Sequence, residues 1–353
     1  MKTNLSRLSG MLAITLLAAV SATAADHKDF FVLTSTNDPS GNKVVVFKLN
    51  TAPAPSLTLV NALPTGGNGG AGGNAGAVQF RDSFGAVVNY GSNNLSRLLR
   101  DDHSIRVAGT IALAANCEQP LSVALEGSQA FVVGTNCAES HSWPDGSVDG
   151  AVVSLSDNSA GQIVAGQTWA AVTLKSGSVL QLPLSGDGAL SGSSLPVALP
   201  SDADNTPLGA AFWGDILGFN PAHSPDSLAL VDKAGDVFPI LGPQPAYPTN
   251  APCWLAKGPG NAWYAGNSPG HSVSVFFTDG QGGTFYKSIS LPGVPTDVTV
   301  SRDNKWLAVI YAATDGSGGR IAVFSIDGYG DLSLAATSSP VGAAAFNGVA
   351  ISQ

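Results

Sequence analysis

Among the five histidines, three stand in polar, turn-rich stretches: His141 in Cys137-Ala-Glu-Ser-His-Ser-Trp, His223 in Asn220-Pro-Ala-His-Ser and His271 in Asn267-Ser-Pro-Gly-His. Imidazole titrates near neutrality and is a common metal ligand, so three of them gathered on one face would suit proton transfer on a small molecule. The stretch 137–149 is the most polar irregular segment, with Glu139, His141, Trp143, Asp145 and Asp149. A carboxylate near an imidazole, with an indole wall, could activate water toward an ester or lactone. The expected catalytic set is therefore His141, Glu139 and Asp145. His223, His271, Asn136, Asn267 and Trp143 are the expected ligand-binding side chains. The competing reading is a solvated loop and three unrelated surface histidines.

Other signals are weaker. No HxH or HExxH spacing supports a metal site, so the metal set is unknown. No cofactor is required, and a divalent metal ion is the one candidate. Asp202-Ala-Asp204-Asn205 offers oxygens to Ca²⁺ but lacks the EF-hand spacing, and a solvated turn is the default. Gly66 to Gly76 (GGNGGAGGNAG) could cradle an anion, but it has neither the Lys nor the Ser/Thr of a phosphate-binding loop, so a flexible connector is expected. There is no CxxC, which leaves dithiol chemistry without support.

The elements that must position these residues are β-strands. Of 353 residues, 42 are Gly and 22 Pro, a level that favours turns over long helices. Only three acidic residues are Glu (Glu118, Glu126, Glu139), the rest being turn-forming Asp. A net charge of −9 argues against nucleic acid as a partner. Residues 1–24 read as a signal peptide: Lys2 and Arg7, the apolar run 11–22, then Ala22-Thr23-Ala24. The chain is expected in the periplasm or secreted, without a transmembrane segment after cleavage. Export permits disulfides, and a Cys117–Cys137 bridge is expected, with Cys253 a buried small hydrophobe.

A repeat decides the fold. Pro120, Pro207, Pro252 and Pro295 each precede or open an apolar strand, at spacings of 87, 45 and 43. Copies without proline fall near Ala77 and near Gln167, where Thr168-Trp169-Ala170-Ala171-Val172 is taken to open a unit. Asp187-Gly188, Asp279-Gly280 and Asp327-Gly328 mark equivalent hairpins. Four antiparallel strands per roughly 45 residues is the pattern of a propeller blade. The expected fold is all-β: a single seven-bladed β-propeller over residues 25–353, with four-stranded antiparallel blades. The N-terminal stretch supplies only three strands, so the C-terminal strand 347–352 is expected to join the first blade and close the ring. His141, His223 and His271 would then lie in loops joining the second to the third strand of blades 3, 5 and 6, with the disulfide at the same end.

Pro120-Leu-Ser-Val-Ala-Leu with Ala130-Phe-Val-Val and Thr135-Asn136, Thr206-Pro-Leu-Gly-Ala-Ala-Phe, Ala251-Pro-Cys-Trp with Ala262-Trp-Tyr-Ala-Gly-Asn267, and Pro295-Thr-Asp-Val resemble the lactonase-type seven-bladed propellers. That group includes 6-phosphogluconolactonase and carboxymuconate cyclase, and the likeness is greatest to its exported bacterial branch. The resemblance implies a small molecule bound at one end of the central channel, with lactone or ester hydrolysis or isomerisation as the implied chemistry. Family enzymes use His, Arg and Glu around the channel, yet no arginine occurs between Arg106 and Arg302. A doubly charged ligand would want guanidinium forks, so a neutral or weakly charged ligand is expected. A second class of reading is a monomeric interaction module that binds an extracytoplasmic protein or glycan.

Overall fold

The computed structural model describes residues 29–201, 206–224, 227–241, 251–342 and 346–353; the leader 1–24 and the 202–205 cluster lie outside them. Seven separate four-stranded antiparallel sheets form the ring, as the repeat predicts. The inner strands are Val78–Arg81, Ser122–Glu126, Ala160–Ala165, Pro207–Trp213, Pro252–Lys257, Gly293–Val300 and Asn347–Ser352, each packed beside the next around the channel. Blades are numbered from the N-terminus, so Asn347–Ser352 belongs to blade 1. The two ends of the channel differ in what surrounds them. Blade-to-blade connections and second-to-third-strand loops gather at the entry end, where the inner strands begin. First-to-second-strand hairpins gather at the exit end.

Burial explains the apolar runs. The second strands Gln129–Val133, Trp169–Leu174 and Ala262–Asn267 are buried along their whole length because a neighbouring blade covers each face. Each large side chain so buried contributes about 1.5–3 kcal/mol. The outermost strand of blade 1, Ser56–Pro64, is mostly exposed. In blade 4 the inner strand is Ala160–Ala165, and Trp169–Leu174 is the second strand rather than the first. No proline marks this inner strand, and its Gly161-Gln162 interrupts the apolar signal.

Ring closure follows the expected route. Asn347–Ser352 pairs antiparallel with Phe30–Ser35, with Leu33 opposite Ala350. Gly348 has φ of 76°, and a Cβ there would come within 2.6 Å of the Val78 amide nitrogen, so glycine is what lets this strand approach blade 2. Cys117 and Cys137 form a disulfide with Cα atoms 5.3 Å apart, tying the approach to blade 3 to its third strand at the entry end. Replacing both by alanine is expected to cost about 3 kcal/mol, from loop-closure entropy alone. Urea unfolding of the double variant checks this. Cys253 is free and half-buried, and burial pushes its thiol upward, as suits a packing residue.

Candidate functional site

The glycine-rich segment 66–76 is a plug. Asn37 fixes its first half, donating from Nδ2 to the Ala71 carbonyl at 2.6 Å and accepting from the Gly70 and Ala71 amides. Residues 73–76 then cross the entry end of the channel. Lys175 of blade 4 donates to the Gly73 carbonyl at 3.2 Å, and Asn74 donates to the Leu121 carbonyl at blade 3. The Ala75 amide donates to Gly161 of blade 4, and Ala75 belongs to the apolar cluster of Leu208, Ala222 and Trp254 from blades 5 and 6. Gly76 donates to the Asp297 carboxylate of blade 7 at 3.1 Å, while its carbonyl accepts from Val123 at 2.9 Å. Asn74 and Gly76 are buried. A Cβ on Gly76 would stand 2.8 Å from Ser122 Oγ, so no other residue fits. Glycine content reads as flexibility in sequence, whereas here it lets backbone lie flat against six blades.

With the entry end sealed, the channel opens at the exit end. A cavity of about 460 Å³ is lined there by the inner strands of blades 2 to 7. A second hollow of about 600 Å³ shares Gln79, Arg81, Leu125, Thr299 and Val300 with it and extends toward Ser352 and Gln353. Polar groups cover the floor: Gln79, Gln162 and Asp297. Asp297 is fully buried, and its carboxylate accepts from the amides of Gly76, Val349 (3.3 Å) and Val298 (2.9 Å). Burial outweighs these three bonds and pushes its carboxyl up to about 7. Gln162 Oε1 accepts from the Ala210 amide at 2.7 Å, which orients its side chain.

The rim carries charge in paired form. Arg81, at the end of the blade 2 inner strand, is salt-bridged to Glu126, at the end of the blade 3 inner strand. Lys257, at the same place in blade 6, donates to the carbonyls of Gly258 (2.7 Å) and Gly260 (2.8 Å). It also lies 5.1 and 5.5 Å from the ring centroids of Trp213 and Trp263. Burial lowers its ammonium to about 8. An acid and a base both brought near neutrality in one cavity is the arrangement proton-transfer sites use.

The side chains singled out from sequence lie elsewhere. Glu139 and His141 are not in a loop. They sit on the third strand of blade 3, Cys137–Ser142, and neither has any exposed surface. His141 Nε2 is 2.8 Å from Glu139 Oε1, and Nδ1 is 3.0 Å from the Gly146 carbonyl. The Glu139 carboxylate accepts from the Ala114 amide of the preceding connection at 3.1 Å. The pair thus ties two blades together, with both ring nitrogens facing protein oxygens. Asp145 is exposed on the following turn. Trp143 packs against the Val88, Leu95 and Ile111 cluster between blades 2 and 3.

His223 and His271 do lie in second-to-third-strand loops, at the entry end outside the plug; His223 Nδ1 is 3.0 Å from Thr206 Oγ1. His141 lies toward the other end of its strand, away from Cys137 and the bridge, so the three histidines do not gather. Asn136 accepts from the Glu118 amide and donates to the Asn116 carbonyl, holding the cystine loop. Asn267 donates to Ser272 and Ser274 hydroxyls, pinning its turn. In blade 2 Asn89 donates to Asn94 Oδ1 and the Ser96 hydroxyl, and in blade 5 Asn220 donates to the Ser227 carbonyl. Among the described residues, no group of three or more His, Cys, Asp or Glu is placed to hold a metal ion.

Sequence reasoning missed Gln79, Arg81, Glu126, Gln162, Lys257 and Asp297. Alignment of the repeats carried the signal. Arg81, Glu126 and Lys257 are equivalent last residues of three inner strands, and Gln79, Gln162 and Asp297 interrupt otherwise apolar strands.

No protein-family model matches the sequence, and no curated protein is similar to it. Solved structures share its fold. A putative 6-phosphogluconolactonase from Bacteroides fragilis is 14% identical, with a TM-score of 0.64, covering 94% of this chain and 99% of that one. The periplasmic gluconolactonase PpgL of Pseudomonas aeruginosa is 14% identical, with a TM-score of 0.65, covering 92% and 99%. A Lactobacillus plantarum protein is 16% identical, with a TM-score of 0.67, covering 93% and 100%. The chain therefore shares their fold, a seven-bladed β-propeller.

Proposed function

We propose that this propeller, exported to the periplasm or beyond, binds a small polar molecule in the exit end of its central channel. The observation that carries this reading is a cavity closed at one end by the 66–76 plug and lined at the other by polar side chains from several blades. The disulfide and the resemblance of residues 1–24 to a leader support export. The likeness to lactonases of this architecture favours a lactone or another ring-oxygen compound as the ligand.

A second reading is turnover of a lactone or ester. Asp297 near 7 and Lys257 near 8 in the same cavity favour it, with Asp297 on the floor as the proton-accepting group. The Glu139–His141 pair would then support the blades without touching the ligand.

A thermal-shift screen of lactones, sugars and small acids against the native protein and an Ala165→Trp variant tests the binding reading. Ala165 lines the cavity, and an indole there fills it. A hit is expected to stabilise the native protein and to lose at least about tenfold in affinity in the variant, the scale of a blocked pocket. Hits that shift both proteins equally would move the site elsewhere. A glycan or protein partner captured on a blade face would then be the better account.

A further inference from the structure

We infer that Glu126 sets the chemical class of the ligand, reserving the channel for uncharged polyhydroxylated ring compounds and excluding phosphate esters; this rests on the channel being the binding site. Among the described residues, each cation lining the mouth has a protein partner. Arg81 is held by the Glu126 carboxylate and the Leu125 carbonyl, across the seam between blades 2 and 3. Arg302, on the adjoining hollow, is paired with Asp82. Lys257 spends two of its donors on Gly258 and Gly260 carbonyls and is screened by two indoles.

An incoming phosphate would have to displace Glu126 from Arg81 and then lie beside the released carboxylate. Both steps oppose binding. The Coulomb attraction an anion would seek at Arg81 is already neutralised by a charge of the same sign as the ligand.

Neutral groups with unused hydrogen-bonding capacity line the cavity as well. Among the described residues, the Gln79 and Gln167 amides and the Thr299 hydroxyl line the cavity without a protein side-chain partner, and Gln162 uses only its Oε1. Amides and hydroxyls both donate and accept, as sugar hydroxyls do. The half-buried side chains of Phe212 and Val164 supply the apolar face that a ring needs. The cavity volume of about 460 Å³ admits a monosaccharide-sized ligand with its waters.

The test uses calorimetric titration of glucono-1,5-lactone, 1,5-anhydroglucitol and glucose, each beside its 6-phosphate, against the native protein, Glu126→Gln and Glu126→Gln/Arg81→Met. In the native protein the uncharged compounds bind and their phosphates bind at least about tenfold more weakly. In Glu126→Gln the freed guanidinium raises affinity for the phosphate relative to its parent compound about tenfold or more. Adding Arg81→Met abolishes that gain, which separates a charge effect from a change of shape. If the native protein binds the phosphates at least as well as their parents, or if Glu126→Gln leaves the preference unaltered, the role of Glu126 is overturned and the channel site stands. If no compound binds any of the three folded proteins, the channel reading fails and this inference with it.

Discussion

His141→Ala is expected to lower folding stability by about 3–5 kcal/mol while leaving channel binding unchanged. The side chains of His141 and Glu139 are both 0% exposed, and among the described residues the imidazole is the only ionisable partner of the Glu139 carboxylate. Truncating it leaves a carboxylate with one backbone donor, Ala114, at a fully buried position. Removing one member of a buried pair strands the other's charge, which costs far more than the pair itself contributes. Urea unfolding gives the stability change, and titration with any ligand that stabilises the native protein gives the affinity. A variant that stays fully stable but no longer binds would return His141 to the site.

The second large effect is a fall in stability as pH rises from 5 to 8, on the order of 2–3 kcal/mol, traced to Asp297. Burial holds its carboxyl near 7 in the folded protein, against an ordinary value of 3.8. Between those values the folded state binds the proton and the unfolded state does not, so unfolding releases about one proton. Stability from this group is fully present below pH 3.8 and is lost as pH rises through 7, opposite to the usual behaviour of a salt-bridged aspartate. The ionised group is also the clasp that joins Gly76 of the plug to Val349 of the closing strand. Asp297→Asn is expected to flatten the slope over this window. Unfolding free energies at pH 5 and 8 decide the matter, and a native protein whose stability is level or rises would refute it.

The architecture was legible because a repeat is read many times over. Pro207 and Pro252 open their inner strands as the spacing predicts, and the isolated strand at 347–352 declared its own partner. The chemistry was less legible for a physical reason. His141 and Glu139 look like a catalytic pair in sequence because an imidazole and a carboxylate stand two residues apart in a polar stretch, and on the strand they actually form that spacing puts both on one face. Whether that face meets solvent or another blade is a property of the ring, and here it meets the connection at Ala114. The plug was hidden for a related reason: Asn37, Asn74 and backbone amides hold it, and such contacts leave no hydrophobic pattern. The site residues were present as register positions, Arg81, Glu126 and Lys257, and become visible when the inner strands are compared end against end.

Hydrogen–deuterium exchange of the native protein, with and without a saturating hit from the screen, tests most directly which end of the channel is the site. The account predicts slowed exchange at the exit ends of the inner strands, residues 124–126, 164–167, 211–214 and 255–257, with the entry-end loops at 221–224 and 268–271 unchanged. Protection confined to those entry-end loops, around His223 and His271, would contradict it.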